Sequence, residues 1–256
     1  MKITVEKLKS MKGNEKISML TAYDYSSAKV EDEVGIDVVL IGDSLGMVIL
    51  GYDTTQKVTM QDIMRHTGAV SRGIKKAHIV ADMPYKSYDT EEDAIKNAKL
   101  LIESGADSVK NEKKPEIAKA LVQAGIDVMG HIGLTPQTIT DFKVQGKDQE
   151  TADKIKEEAK ALEEAGCYAL ILECVPRQLA KEITEGIGIP TVGIGAGPDC
   201  DGQVLVVNDM LGLFTEFQPK FVKRYANLSD EMKKAIKVYN KEIKESKFPT
   251  DEQSFH

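Results

Sequence analysis

The chain is short of cysteine, histidine and positive charge, and it has no long apolar run. Its three cysteines, Cys167, Cys174 and Cys200, are odd in number and include no C-x-x-C pair. That argues against a disulfide framework and a thiolate zinc site, and they read as reduced, buried small hydrophobes. Four scattered histidines argue against a His-rich metal centre. No apolar stretch approaches the ~18 residues of a membrane span. The start, MKITVEKLKSMKGNEK, mixes lysines with polar residues and lacks the apolar core of a signal peptide, so the expected location is the cytoplasm. With 34 Lys+Arg against 41 Asp+Glu the net charge is −7, which opposes attraction to nucleic acid or an anionic membrane. Strict repeats, low-complexity tracts and an interdomain linker are also missing.

What the 256 residues do contain is a rhythm, and at 41% hydrophobic they suffice for a large core. Short β-rich apolar runs alternate with longer amphipathic stretches, which predicts βαβ units around a parallel sheet. The predicted strands are KISML (16–20), DVVLI (37–41), HIVA (78–81), DSVK (107–110), DVMG (127–130), YALIL (168–172), PTVGI (190–194) and QVLVV (203–207). Eight such units predict a (β/α)8 barrel, residues 1–256 forming one domain with an N-terminal extension and a C-terminal helix. Thr90 and Thr151 read as helix N-caps, with Gly105 and Gly166 as the corresponding stops. The final helical pattern places Met232, Ile236, Tyr239 and Ile243 on one face, either as an ordinary surface helix or as a contact with another subunit.

The apolar strands end on polar residues. Asp43 and Ser44 follow strand two, Asp82 strand three, His131 strand five and Glu173 strand six, while Lys110 and Glu112 close strand four. Taken singly each has an ordinary explanation: a carboxylate as N-cap or turn former, Lys110 as a solvated lysine, His131 as a hydrogen-bonded structural residue, Glu173 as the start of the next helix. Taken together they lie at carboxyl ends that a barrel gathers on one rim, where barrel active sites sit. Carboxylates gathered there raise one another's pKa unless they share a cation. Asp43, Asp82 and Glu112 therefore predict a hard, oxygen-ligated ion of the Mg²⁺ kind. Lys110 supplies charge for an anionic ligand, and Glu173 is free to accept a proton. The glycine loop GIGAG (193–197) lacks dinucleotide spacing and serves either as backbone close to a ligand or as a turn. His66, on a predicted helix, reads as structural, His78 starts a strand and His256 is terminal, so none of the three is assigned a catalytic role.

The stretches GDSLGMV, VADMPYKSY, GHIGLTPQ, KVQGK, LILECVPRQLAKEIT and VGIGAGPDCDGQVLVVNDMLGLF, in this order between about Met19 and Tyr225, resemble the ketopantoate hydroxymethyltransferase family. The resemblance implies a barrel of the phosphoenolpyruvate/pyruvate superfamily. It also implies transfer of a hydroxymethyl group from 5,10-methylenetetrahydrofolate to 3-methyl-2-oxobutanoate through a Mg²⁺-stabilised enolate, giving 2-dehydropantoate for pantothenate biosynthesis. By position, Asp43, Asp82 and Glu112 match the family's magnesium site, Asp43, Ser44, Asp82 and Lys110 its keto-acid contacts, and Glu173 its proton acceptor. His131 is expected, from its own chemistry, to orient that base or relay its proton. Large homo-oligomers, often decamers, are implied as well. Two segments depart from the family pattern: V-K-N-E-K-K stands where V-K-L-E-G-G is usual, and TITDF (138–142) is short. A phosphonopyruvate- or isocitrate-lyase-like enzyme is the alternative within the superfamily, although its K-K-C-G-H loop has no counterpart here. A non-catalytic oxo-acid-binding barrel is the alternative outside enzymes.

Overall fold

Every predicted strand forms. The computed structural model describes residues 1–138 and 143–256, and its strands are β1 (Ile17–Thr21), β2 (Val38–Ile41), β3 (His78–Asp82), β4 (Ser108–Glu112), β5 (Val128–Gly133), β6 (Ala169–Glu173), β7 (Thr191–Ile194) and β8 (Gly202–Leu205). They pair in chain order, all parallel, into a closed barrel. Closure runs from Ile17↔Gly202 to Leu20↔Leu205, which leaves no open edge. Strands covered on both faces must be apolar throughout, and all of Val38–Ile41 is buried accordingly. Four strands run further than their apolar letters predicted, so Asp82, Glu112, His131 and Glu173 lie within the ladder rather than after it. Their backbones are thereby fixed by sheet hydrogen bonds.

The unit Met1–Val206 also holds α1 (Val5–Met11), α2 (Tyr25–Val34), α3 (Leu45–Val48), α4 (Met60–Ser71), α5 (Glu91–Glu103), α6 (Pro115–Gln123), α7 (Gln149–Glu164) and α8 (Arg177–Gly186). Thr90 caps α5 as expected, accepting from the Asp93 N–H. The α7 cap is three residues earlier than expected. Asp148 accepts the Thr151 N–H at 2.9 Å, and the Thr151 hydroxyl donates back to the same carboxylate at 2.7 Å. A carboxylate at the positive end of a helix outcompetes a hydroxyl in the first turn.

Helix α1 stoppers the amino-terminal end of the barrel. Val5, Leu8 and Met11 join the core cluster that includes Ile17, Val38, Val80, Met129 and Val192, and each such side chain contributes roughly 1.5–3 kcal/mol by burial. The Lys12 ammonium holds Asp201 at 3.1 Å, just before β8. His78 Nε2 lies 2.9 Å from Ser108 Oγ, which lies 2.9 Å from the Tyr168 hydroxyl. His78 opens β3, and the His66 Nδ1–H donates to the Tyr23 carbonyl.

The unit Val207–His256 contains α9 (Val207–Met210) and α10 (Leu228–Lys244). On α10, Met232, Ile236, Tyr239 and Ile243 are all exposed. No helix among the described residues is long and apolar enough to cross a membrane.

Candidate active site

Strand register brings the predicted residues together. Asp82 is the Cα partner of Lys110, Glu112 of His131, and Gly133 of Glu173. Side chains continue this array. The Lys110 ammonium lies 2.9 Å from Asp82 Oδ1, and the Asp43 N–H donates to Asp82 Oδ2 at 2.9 Å. His131 Nδ1 is 3.3 Å from Lys110 Nζ and 3.5 Å from Glu112 Oε1. On its other side His131 Nε2 is 3.0 Å from Glu173 Oε2. Asp43, Asp82, Lys110, Glu112 and His131 are all buried, whereas Glu173 keeps 18% of its side chain exposed. Of these acids, Glu173 is the one left partly exposed. Ser44 remains partly exposed and takes a different partner, the Tyr23 hydroxyl, at 2.8 Å. Gly133 is needed for this packing, since a Cβ there would stand 2.2 Å from the Glu173 carbonyl oxygen.

Three carboxylates around one ammonium leave a net negative site, and the ionisations reflect it. Burial pushes the carboxyls of Asp43 and Asp82 upward, and Lys110 pulls against it without winning. For Lys110, burial opposes the charge, but Asp82, Asp43 and Glu112 outweigh it and hold the ammonium firmly protonated. His131 is lifted as well. Burial and the Lys110 charge disfavour its protonation, and the adjacent carboxylates of Glu112 and Glu173 overcome both.

Among the described residues, no group of three or more His, Cys, Asp or Glu is drawn together as a metal site. A small hard dication, however, takes only one or two carboxylates directly and completes its shell with water and substrate. The residues present fit such an ion: the donors are carboxylate oxygens, Asp43 and Asp82 are bonded to each other, and the buried Asp82 Oδ1 has ion-pair contact with Lys110 but no hydrogen-bond partner.

Several contributors carried no signal in the sequence beyond membership of a motif. Gln137, the last residue of GHIGLTPQ, donates from Nε2 to Asp43 Oδ2 and to the Met83 carbonyl, each at 2.9 Å. Its backbone N–H reaches Glu112 Oε2 at 3.2 Å. The Tyr88 hydroxyl donates to Gln137 Oε1 at 2.6 Å. In the altered V-K-N-E-K-K segment, Lys113 and Lys114 both adopt φ 52°, and Asn111 Nδ2 donates to the Lys113 carbonyl at 2.8 Å. Of the TITDF segment, residues 139–142 lie outside the described residues.

The family model described as ketopantoate hydroxymethyltransferase matches residues 2–251. The chain belongs to this family. Its relatives include the 3-methyl-2-oxobutanoate hydroxymethyltransferases of Syntrophus aciditrophicus (strain SB) and Carboxydothermus hydrogenoformans (strain ATCC BAA-161 / DSM 6008 / Z-2901). Each is 54% identical over 99% of this chain, covering 97% and 95% of the relative, respectively. The fold is similar to that of a phosphonopyruvate hydrolase crystallised with oxalate and Mg²⁺. The TM-score is 0.66 at 11% identity, over 100% of this chain and 92% of that one. This ketopantoate hydroxymethyltransferase family member is therefore an enzyme of the transferase class on a (β/α)8 barrel.

Proposed function

We propose that the protein transfers a hydroxymethyl group from 5,10-methylenetetrahydrofolate to 3-methyl-2-oxobutanoate, giving 2-dehydropantoate for pantothenate synthesis, at the rim formed by β2 to β6. The observation that carries this reading is the continuous array from Asp43 through Asp82, Lys110 and His131 to the partly exposed Glu173. The names of the relatives support the substrate, and the oxalate and Mg²⁺ bound by the phosphonopyruvate hydrolase of similar fold support a 2-oxo acid beside a dication.

Asp43, Asp82 and Glu112 would hold a divalent cation of the Mg²⁺ kind, which would supply Lewis acidity toward the oxo acid. Ser44 and Lys110 bind the carboxylate and keto end of the substrate, the ammonium facing the negative charge that develops on the keto oxygen. Glu173 takes the proton from C3, whose electron pair moves into the C2–C3 bond. His131 orients Glu173 through Nε2. The same ring placement serves two protonation states: Nδ1 accepts from Lys110 when the ring is neutral, and it faces Glu112 when the ring is charged. C3 then attacks the folate-borne methylene, and water supplies the hydroxyl as tetrahydrofolate leaves.

The whole chain acts as one barrel domain with terminal additions, in a cytoplasmic homo-oligomer that takes small-molecule substrates and no nucleic acid. The test is to incubate purified protein with Mg²⁺, 3-methyl-2-oxobutanoate and 5,10-methylenetetrahydrofolate, and to follow products by mass spectrometry. Appearance of 2-dehydropantoate with equimolar tetrahydrofolate is expected. Cleavage of phosphonopyruvate or a malate analogue instead, or oxo-acid binding without turnover, contradicts the proposal.

A further inference from the structure

Asp43 stands at the end of β2 and Glu112 at the end of β4, so β3 separates them in the barrel. Two buried carboxylates of like charge repel, and neither is placed by the sheet ladder alone, because the ladder fixes backbones rather than side chains. Gln137 bridges them. Its side chain takes one oxygen of Asp43 and its backbone N–H one oxygen of Glu112, which leaves Asp43 Oδ1 and Glu112 Oε1 outside this bridge.

The bridge has a single workable orientation. The Met83 carbonyl and the Asp43 carboxylate both accept, so the amide NH₂ must face them, and Oε1 must face Tyr88, whose hydroxyl must donate. A flipped amide would set its oxygen against two acceptors. The Gln137 carbonyl is held in turn by Gln56 Nε2 at 2.9 Å, so every polar group of this buried residue is engaged. A residue serving only to fill space would have been apolar, and a buried amide with one orientation acts on whatever its two N–H groups hold.

We propose that Gln137, locked by Tyr88, is a positioning residue that presents Asp43 and Glu112 to the divalent cation and the oxo acid. This rests on the proposed reading of the rim as a cation and oxo-acid site. Outer partners that orient ligating carboxylates typically matter by about 10- to 100-fold in metal affinity.

The experiment compares wild type, Tyr88→Phe and Gln137→Met. Mn²⁺ binding is read from the electron paramagnetic resonance of the free ion, steady-state kinetics are measured at saturating folate, and near-ultraviolet circular dichroism checks the fold. In Tyr88→Phe, Mn²⁺ affinity is expected to fall about 10-fold. KM for 3-methyl-2-oxobutanoate should rise in parallel, with kcat within about twofold of wild type. Gln137→Met should show the same split more strongly. Folded variants with altered thermal stability but unchanged Mn²⁺ affinity and KM overturn the proposal. If Gln137→Met does not fold, Tyr88→Phe alone decides. If wild type takes up no Mn²⁺, the cation reading fails, and the KM of Tyr88→Phe still decides the role of Gln137.

Discussion

Lys110 and Asp82 are register partners on adjacent strands, and their charged ends meet at 2.9 Å with both side chains buried. Asp43 and Glu112 add two further carboxylates to the surroundings of the same ammonium. One cation thus holds a site in which the negative groups outnumber it.

Removing that cation should be costly in a pH-dependent way. Lys110→Met leaves buried carboxylates without compensation, which typically costs about 3–5 kcal/mol. Burial holds the carboxyls of Asp43 and Asp82 above their ordinary range in the folded protein, so around those pKa values the native state binds more protons than the unfolded chain. Stability then falls as pH rises through their folded pKa values and recovers on acidification. Urea unfolding of metal-free wild type and Lys110→Met at pH 5.5 and pH 8 should show the larger deficit at pH 8.

Glu31 on α2 is also a buried acid, outside the rim. Neither carboxylate oxygen has a hydrogen-bond partner, and burial, with a smaller push from Asp24, raises its pKa to about 8. A raised carboxyl pKa means that stability is greatest when the group is protonated and is lost as pH climbs toward 8. Glu31→Gln should flatten the dependence of Tm on pH between 5 and 9. The variant should gain on the order of a few kcal/mol over wild type at the alkaline end, and equal slopes would remove Glu31 from the account.

The two left-handed lysines of the V-K-N-E-K-K segment, Lys113 and Lys114, make opposite predictions. An L-residue at φ 52° carries a penalty of roughly 1–2 kcal/mol, while glycine costs about 0.5–1 kcal/mol more chain entropy. Lys113 offers in return a 3.8 Å ion pair with Glu158, part exposed and weak. Lys114 offers a 3.0 Å ion pair with Asp89 and a position 4.9 Å from the Tyr88 ring centroid. Lys113→Gly should therefore raise the midpoint of thermal unfolding slightly, and Lys114→Gly should not.

The barrel was legible because strands buried on both faces must be written as apolar runs, and Val38–Ile41 is such a run in sequence and structure alike. The rim was legible where a charge interrupted the run, as at Asp82 and Lys110. Thr151 was misread as a cap because Asp148 does the same work from a position that the apolar periodicity does not mark. Gln137 and Tyr88 gave no signal because their partners are defined by folding: Gln137 meets Asp43 across 94 positions of chain. Glu31 was hidden because an acid in an amphipathic helix is expected to face water.

The central claim is that Glu173, reachable from outside and oriented by His131, takes the C3 proton. Its most direct test is deuterium uptake at C3 of 3-methyl-2-oxobutanoate, followed by proton NMR in D₂O with Mg²⁺ and without folate, for wild type and Glu173→Gln. The account predicts exchange slowed by about 10²- to 10⁴-fold in a variant that still binds the oxo acid. Exchange at the wild-type rate in Glu173→Gln would contradict it.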